Sequence, residues 1–382
     1  MTTTDRPDPY PLPGADPDDP AGLPLVRLSE PGDLLAALPG LIGFYPERSM
    51  VLIGYDEVTR WTGPVARFDL VLDGEGGLTS AGHRGIADTV RLCKRYGALR
   101  ILAAVVDDRV TPPVMERIHD RLLVALMADG DGDWDAELED LFLVRRIAEG
   151  ELWVCTHGGR GRLPDPGISP VTLARVVDGG SIHSSRTELA AHFAETGPGI
   201  GWAQCIAAER AVRRRRGEGR ARRDAASKDA TRLRLVLAAV CGESAPTDAE
   251  VARLGAALLS LRVRDAVFAL AATDAADSAV DLLCDLARRL RGEPRAAAAT
   301  VVAGICYVRA LGTMVGVALE CALEADPGYR AAQLLAQALD GGMTPESLFS
   351  ITELGYEIAR ELGVDMPPRI PRAGVGGAAP PG

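Results

Sequence analysis

The segment LRILAAVVDD, residues Leu99–Asp108, is the most strand-like part of this chain. Residues 99–106 are almost entirely apolar, and Asp107 and Asp108 close the run. A short apolar run in which polar and apolar residues do not alternate is typical of a strand covered on both faces. The segment therefore predicts a central strand in a layered domain.

Shorter β-rich and helical stretches alternate on both sides of this strand. The β-rich stretches are residues 25–28, 50–55, 65–72, 141–147 and 151–156, and the helical ones are residues 30–42, 80–96, 113–128 and a short helix from Pro170. This alternation predicts an N-terminal domain of the α+β or α/β class with a mixed sheet, over residues 25–195.

The pattern changes in the middle of the chain. From Trp202 to Leu362 almost only helical periodicity remains, and Thr247 with Glu250 forms a capping box that begins one helix. We therefore predict an all-α helical domain over residues 196–366. Within it, Ala318–Met343 could be a tetratricopeptide-like helix pair or ordinary packed helices.

Both ends of the chain have the composition of disordered segments. Residues 1–24 contain seven prolines among aspartates, and residues 367–382 are mainly proline, glycine and alanine. Such segments bury too little apolar surface to offset the entropy lost on ordering them. We expect a disordered N-terminal arm and a disordered C-terminal tail.

The composition is that of an ordinary globular protein. The 382 residues are 47% hydrophobic and 25% charged, which excludes a fibrous or mainly disordered chain. No apolar run reaches the roughly 18–20 residues of a membrane span, so we expect no membrane partner. The N-terminus lacks the apolar stretch of a secretory signal, and seven scattered cysteines suit a reducing compartment. These features predict a cytoplasmic protein, and no motif predicts a cofactor.

Cys155 and His157 lie two residues apart at the end of a predicted strand, so their side chains share a face. They could form a Cys–His nucleophile or half of a zinc site, or be a strand-end cysteine beside a surface histidine. A structural zinc site needs about four ligands, and no CxxC or HxxxH motif accompanies the pair. The glycine-rich residues 158–161 lack the GxGxxG spacing of a phosphate loop. Both residues remain catalytic candidates, and we predict no metal.

Four aspartates alternate in residues 129–135 and suggest a calcium-binding loop. The EF-hand pattern requires glycine at its sixth position and glutamate at its twelfth, where this chain has Trp134 and Asp140. An acidic linker is the better interpretation.

Asp107 and Asp108 stand where the most buried-looking strand ends. In open parallel sheets ligands gather beyond the carboxyl ends of the strands, and paired acids there could bind a metal or act as a base. The two acids could equally mark the point at which the chain meets water. An enzyme site would require them to share one cavity with residues 155–162.

Ser184, Ser185 and Arg186 precede a predicted helix over residues 187–193. A helix N-terminus favours anions, and an arginine adds a bidentate donor, so these three residues are candidate ligand-binding residues. The alternative is that one of the serines merely caps the helix.

Eight arginines fall between Arg210 and Arg223. The basic patch comprises Arg213, Arg214, Arg215, Arg216, Arg220, Arg222 and Arg223. This density could neutralise phosphates, but no aromatic residue is interleaved for base stacking, and the net charge of −11 repels nucleic acid. A solvated helix end, or contact with an acidic protein surface, are the other interpretations.

Several stretches together resemble a known family. They are LLAALPGLIGFYPERSMVLIG (Leu34–Gly54), RFDL (Arg67–Leu70), SSRTELA (Ser184–Ala190), RVRDAVFALA (Arg262–Ala271) and ALECALEADPGYRAAQLLAQALDGGM (Ala318–Met343). In this order they resemble the actinobacterial domain-of-unknown-function family 4192. The family's usual Cys-Cys-Pro turn is replaced here by Cys155, Thr156 and His157, which weakens any role based on a vicinal cysteine pair. The resemblance implies an intracellular actinobacterial protein and implies no activity.

These observations predict a non-catalytic protein- or peptide-binding or regulatory module. The predicted partner is a protein, whose helix or extended peptide could lie on the apolar stripes of Ala318–Leu323 and Ala331–Leu339, unless other helices cover them. A small-molecule enzyme at Asp107–Asp108 and the 155–162 loop is the alternative. Nucleic-acid binding through Arg210–Arg223 is a weaker alternative.

Overall fold

The computed structural model forms an N-terminal region built on a sheet and a C-terminal region whose described residues are mainly helical. It describes residues 30–56, 61–74, 76–128, 136–177, 180–215, 225–242, 244–309, 311–341, 343 and 345–370. The expected arm at residues 1–24, the strand at 25–28, the acidic stretch at 129–135 and Arg216–Arg223 lie outside the described residues.

The N-terminal region contains a six-stranded mixed sheet. Its strands are β1 (Ser49–Asp56), β2 (Trp61–Asp69), β3 (Arg100–Val106), β4 (Glu137–Val144), β5 (Leu152–Cys155) and β6 (Arg160–Arg162). The strand order is β2-β1-β3-β4-β5-β6. Strands β3 and β4 are parallel, and the other neighbouring pairs are antiparallel. The predicted mixed sheet is confirmed, with the Leu99–Val106 segment providing one of its two middle strands.

Five helices accompany this sheet. They are α1 (Pro31–Ile42), α2 (Ser80–Arg95), α3 (Pro112–Ala128), α4 (Pro170–Val177) and α5 (Arg186–Ala190). Helices α2 and α3 cover one face of β3, where Ile86 and Ile118 share a core with Ile101. Helix α1 covers the opposite face, where Leu35 shares a second core with Val106. Because both faces of β3 are buried, its sequence is continuously apolar.

The described part of the C-terminal region consists of nine helices. They are α6 (Trp202–Arg215), α7 (Ala225–Val240), α8 (Asp248–Leu258), α9 (Leu261–Val267), α10 (Ala276–Arg289), α11 (Glu293–Val308), α12 (Gly312–Ala325), α13 (Arg330–Asp340) and α14 (Pro345–Glu361). The capping box of Thr247 and Glu250 is present at the start of α8. Helix α11 is buried from Pro294 to Tyr307, since its many alanines let neighbouring helices approach closely.

The predicted apolar stripes on α12 and α13 are largely buried within this helical core. Leu319 and Ala322 of α12 and Ala332 and Leu335 of α13 all belong to it, while Leu334 is about half exposed. Other helices therefore cover most of the surface that was predicted to bind a partner helix or peptide. The tetratricopeptide-like interpretation of this helix pair stays a prediction.

The two regions contact each other at several points. Ile42 and Phe44, at the end of α1, belong to the core of the helical region. Arg95 of α2 donates a hydrogen bond of 2.8 Å to the carbonyl oxygen of Asp340, at the end of α13. The boundary expected near residue 196 stays a prediction.

Residues 367–370 pack against the helical region. The hydroxyl of Tyr356 donates to the carbonyl oxygen of Pro367, and the guanidinium of Arg369 lies over the Tyr356 ring and pairs with Glu353. These contacts place Pro367 and Arg369 against α14, and the disordered tail expected from residue 367 stays a prediction.

Candidate functional site

A cleft of about 550 Å³ opens at the edge of the sheet where β3 and β4 end. Its walls are formed by Glu47, Arg48, Asp108, Arg145, Arg146 and Glu151. These residues come from the entry to β1, the exit of β3 and the turn from β4 to β5. Because β1 runs antiparallel to β3, the first residues of β1 meet the last residues of β3 at this edge. The carboxyl ends of parallel strands are a usual position for ligand sites.

Arg48 has an unusual backbone conformation. Its φ angle is 45°, the only positive φ of a non-glycine residue among those the structure describes. The left-handed region costs a non-glycine residue roughly 1–2 kcal/mol, so the surrounding structure must hold it there. The amide of Leu70 donates to the carbonyl oxygen of Arg48 over 2.8 Å, and the hydroxyl of Ser49 donates to the carbonyl oxygen of Glu47 over 2.6 Å. These bonds fix Arg48 at the wall of the cleft.

The cleft combines charges of both signs. Arg146 pairs with Glu151, with 2.8 Å between Nε and Oε2. The side chains of Glu47, Arg48 and Arg145 make no hydrogen bond or ion pair with any residue that the structure describes. Asp108 is exposed and acts on Arg109 only as a nearby charge. Among the residues that the structure describes, two guanidinium groups and two carboxylates therefore face the cleft without a hydrogen-bond or ion-pair partner.

Asp107 has a structural role and does not line the cleft. Its side chain is completely buried, and its carboxylate accepts hydrogen bonds from the amide, Nε and Nη2 of Arg109 at 2.9, 2.9 and 2.6 Å. The same bonds raise the pKa of Arg109. Arg109 also donates to the carbonyl oxygen of Leu70. The pair Asp107–Arg109 thus fixes the turn that carries Asp108 into the cleft.

Cys155 and His157 lie on the β5 side of β4, whereas Asp107 and Asp108 lie on its β3 side. The amide of Asp107 donates to the carbonyl oxygen of Val144, the last residue of β4, whereas Cys155 pairs with Phe142, two residues before it. His157 lies beside Asp140, four residues before Val144, which is about 13 Å along an extended strand. The enzyme alternative requires both pairs in one cavity, and this register holds them apart on the two sides of β4. That alternative stays a prediction.

Cys155, Thr156 and His157 surround the carboxylate of Asp140. Thr156 Oγ1 donates to Asp140 Oδ1 over 2.8 Å, and His157 Nδ1 lies 3.3 Å from the same atom. Burial by itself would raise the pKa of Asp140, but the hydrogen bonds from Cys155, Thr156, the Leu141 amide and His157 outweigh it and hold this pKa below its usual range.

This cluster does not activate the Cys155 thiol. Burial raises the pKa of Cys155, and the negative charge of Asp140 raises it further. A nucleophilic cysteine needs the reverse, a lowered pKa that yields thiolate at neutral pH. Within the described ranges, no group of three or more His, Cys, Asp or Glu side chains is placed to hold a metal ion.

Ser184, Ser185 and Arg186 use their polar groups within the protein. Ser185 Oγ accepts from the amide of Glu188 over 3.1 Å and caps α5, while Ser184 donates its amide and hydroxyl to the Glu188 carboxylate. Arg186 Nη2 lies 2.5 Å from Oε1 of Glu320 on α12. The capping interpretation describes this segment, and Arg186 joins it to the helical region.

The basic patch lies mostly outside the described residues. Helix α6 ends at Arg215, and Arg214 is exposed on its last turn. The side chains of Arg213 and Arg215, and all of Arg216–Arg223, are not described. Nucleic-acid binding through this patch stays a prediction.

Sequence reasoning found one of the six cleft residues, Asp108. Arg48 stands inside the stretch Leu34–Gly54 that carries the family resemblance. Arg145 and Arg146 lie inside the stretch 141–147 that was predicted as a strand, and in the structure they directly follow β4. A charged residue at a strand end is the only sequence feature that these cleft residues share. The sequence does not reveal the strand order, so it could not predict that the ends of β1, β3 and β4 lie side by side.

The fold and the cleft define a protein of two connected parts, in which an α/β sheet region carries an edge site and a helical region follows. The family described as "Domain of unknown function (DUF4192)" matches residues 31–346, and the chain belongs to this family. No curated protein and no solved structure matches the chain. None of the helices within the described ranges has the length and apolar character to cross a membrane.

Proposed function

We propose that the protein is a non-catalytic binding module that holds a segment of a partner protein in the cleft at the β3–β4 edge. The observation that supports this proposal is the set of charges without close partners, contributed by three chain segments to one cavity of about 550 Å³. That volume lies within the range of protein ligand sites and accommodates a few peptide residues.

The candidate catalytic residues Cys155 and Asp107 lack the properties of a nucleophile or a free base. The raised pKa of Cys155 leaves its thiol protonated at neutral pH, and Asp107 is engaged by Arg109. The cleft itself holds arginines and carboxylates, which orient a charged ligand through salt bridges and hydrogen bonds.

The cytoplasm of an actinobacterial cell is the proposed location of this module. All seven cysteines are free, and a reducing compartment maintains cysteines in that state.

A pull-down from lysate of the native host, read by quantitative mass spectrometry, tests the proposal. The baits are the full-length wild type, the double variant Arg48→Glu/Arg145→Glu, and the matched control Arg330→Glu/Arg360→Glu. The control makes the same change of charge at two exposed arginines on α13 and α14, which do not line the cleft. We expect wild type and control to recover the same partner, and the cleft variant to recover at least tenfold less.

Circular dichroism and a thermal melt of each bait establish that the variants are folded. If the folded cleft variant recovers every partner at the wild-type level, the cleft is not the binding site and the proposal is wrong.

A further inference from the structure

We propose that the cleft recognises a peptide segment in which an acidic and a basic side chain are adjacent. This inference rests on the proposed binding function and adds the chemistry of the ligand. The relevant surface is the set of four cleft residues without close partners, Glu47, Arg48, Asp108 and Arg145, here called the open charges.

The open charges sum to zero. Arg146 and Glu151 neutralise each other across 2.8 Å, which leaves two guanidinium groups and two carboxylates for a ligand. A purely anionic ligand could pair with Arg48 and Arg145, but it would then bring negative charge against Glu47 and Asp108 and remove them from water. Leaving a charge unpaired on binding costs affinity and excludes the wrong partner. A ligand that carries both signs can satisfy both kinds of group.

The backbone that carries two of the open charges, Arg48 and Asp108, is held in place before a ligand arrives. Arg48 is fixed in the left-handed conformation by the bond from the Leu70 amide to its carbonyl oxygen. Asp108 is carried on the turn that Asp107 and Arg109 hold together. Groups fixed in this way bind with a smaller loss of conformational entropy, which favours a short ligand segment.

Phosphate is a poorer match than a carboxylate in this setting. Anion sites for phosphate commonly use backbone amides of glycine-rich loops or helix N-termini, whereas this cleft is lined by side chains of both signs. A peptide carboxylate needs one guanidinium for bidentate pairing, and the neighbouring basic side chain then faces Glu47 or Asp108.

Fluorescence anisotropy with four dye-labelled peptides tests the inference on the full-length protein. The peptides share the frame Gly-Ser-X-X-Ser-Gly with blocked ends, and X-X is Glu-Lys, Glu-Glu, Lys-Lys or Ala-Ala. We expect the Glu-Lys peptide to bind at least fivefold more tightly than each of the others. Its affinity should fall as salt is raised, because exposed charges are screened.

Charge reversal in the protein provides the second arm. Arg48→Glu/Arg145→Glu makes all four open charges negative, so the preferred peptide should change to Lys-Lys. Glu47→Lys/Asp108→Lys should change it to Glu-Glu. The control Arg330→Glu/Arg360→Glu should keep the wild-type preference for Glu-Lys.

The inference is overturned by a wild-type preference for Glu-Glu or Lys-Lys, by equal binding of all four peptides, or by no binding of Glu-Lys. Displacement of the Glu-Lys peptide by low concentrations of inorganic phosphate would also overturn it, in favour of a phosphate site. The pull-down distinguishes failure of the ligand chemistry from failure of the proposed binding function. If partner recovery depends on the cleft but the peptides show no preference, only the ligand chemistry is wrong; if partner recovery is independent of the cleft, the binding function is wrong as well.

Discussion

Asp107 and Asp108 are neighbours in the sequence with opposite environments. The carboxylate of Asp107 is buried and accepts three hydrogen bonds from Arg109, whereas Asp108 is exposed at the cleft. The sequence alone cannot separate the two, because both follow the same apolar strand. Substituting each in turn therefore compares the contribution of a buried, hydrogen-bonded carboxylate to stability with that of an exposed one.

Asp107→Ala should lower the free energy of unfolding by about 2 kcal/mol, because it removes charge-assisted hydrogen bonds and leaves Arg109 without its partner. The loss stays below the 3–5 kcal/mol of a fully buried pair, since Arg109 is itself partly exposed and can turn to water. Asp108→Ala should change the free energy of unfolding by less than about 0.5 kcal/mol. Urea unfolding with an unchanged m-value measures both. Equal losses for the two variants would contradict this assignment.

Burial and the neighbouring Asp140 carboxylate together raise the pKa of the Cys155 thiol. Because the Asp140 carboxylate contributes to the raised pKa of the Cys155 thiol, Asp140→Asn should lower that pKa and increase the thiolate fraction. We expect iodoacetamide at mildly alkaline pH to alkylate Cys155 roughly two- to fivefold faster in the variant, as measured by peptide mass spectrometry. The exposed Cys241 serves as the internal control and should react at an unchanged rate. An unchanged or slower rate at Cys155 would show that the Asp140 carboxylate does not raise the pKa of this thiol.

At the scale of elements, the sequence predicts best what local periodicity encodes. Helices α2 and α3 and strand β3 begin and end within one or two residues of the predicted positions. Strand β4 begins at Glu137, four residues before the prediction, because its first half is polar and carries no apolar signal. Strand β6 has the sequence Arg-Gly-Arg and no strand pattern, so only its pairing with β5 defines it.

The cleft could not be predicted for a related reason. Its residues lie far apart in the sequence, and they meet only because β1 pairs with β3 and β3 with β4. Local sequence patterns do not determine which distant strands pair. Asp108 could therefore be recognised as a strand-end residue, but its position beside Arg48 and Arg145 could not be predicted. For the same reason, the enzyme alternative placed Asp108 and His157 in one cavity, whereas the strand register holds them apart.

Helix α4 packs against α1 with a polar face. Thr172 is buried and Arg175 reaches the carbonyl oxygen of Gly40, whereas Leu173 and Val177 are exposed. The two helices approach so closely that a Cβ atom on Gly40 would lie 2.6 Å from the backbone nitrogen of Thr172. The absence of a side chain at Gly40 therefore determines the contact between α1 and α4.

Gly40→Ala should lower the free energy of unfolding by about 1–3 kcal/mol, because α1 and α4 must move apart. The matched control is Gly316→Ala on α12, where an added Cβ meets nothing within 4 Å. That substitution should raise the free energy of unfolding by about 0.5–1 kcal/mol, since alanine favours the helix over glycine. Denaturant unfolding of both variants gives the comparison. A stabilising Gly40→Ala would show that the α1–α4 contact is looser than the structure indicates.

At the scale of the whole molecule, the segment that follows α4 connects the two regions. His183 forms a bridge with Phe44, whose ring belongs to the helical core, and Arg186 pairs with Glu320 on α12. His183 and His192 face each other in this segment, with ring centroids 5.1 Å apart. Protonation of His183 should therefore affect the junction between the regions.

Stability should decrease as the pH falls below about 7, because of His183. Burial lowers the pKa of His183 from its ordinary value of 6.5, and His192 and Arg175 lower it further, while Glu188 acts in the opposite direction. The unfolded chain therefore binds a proton at a higher pH than the folded protein does, so the stabilisation is complete above pH 6.5 and is lost as the pH falls through the lowered folded value. Urea midpoints measured between about pH 7.5 and 5.5 should fall for the wild type and fall less for His183→Gln. His83→Gln, at an exposed position on α2, should keep the wild-type slope. If His183→Gln also keeps that slope, the titrating group lies elsewhere and the junction does not sense pH.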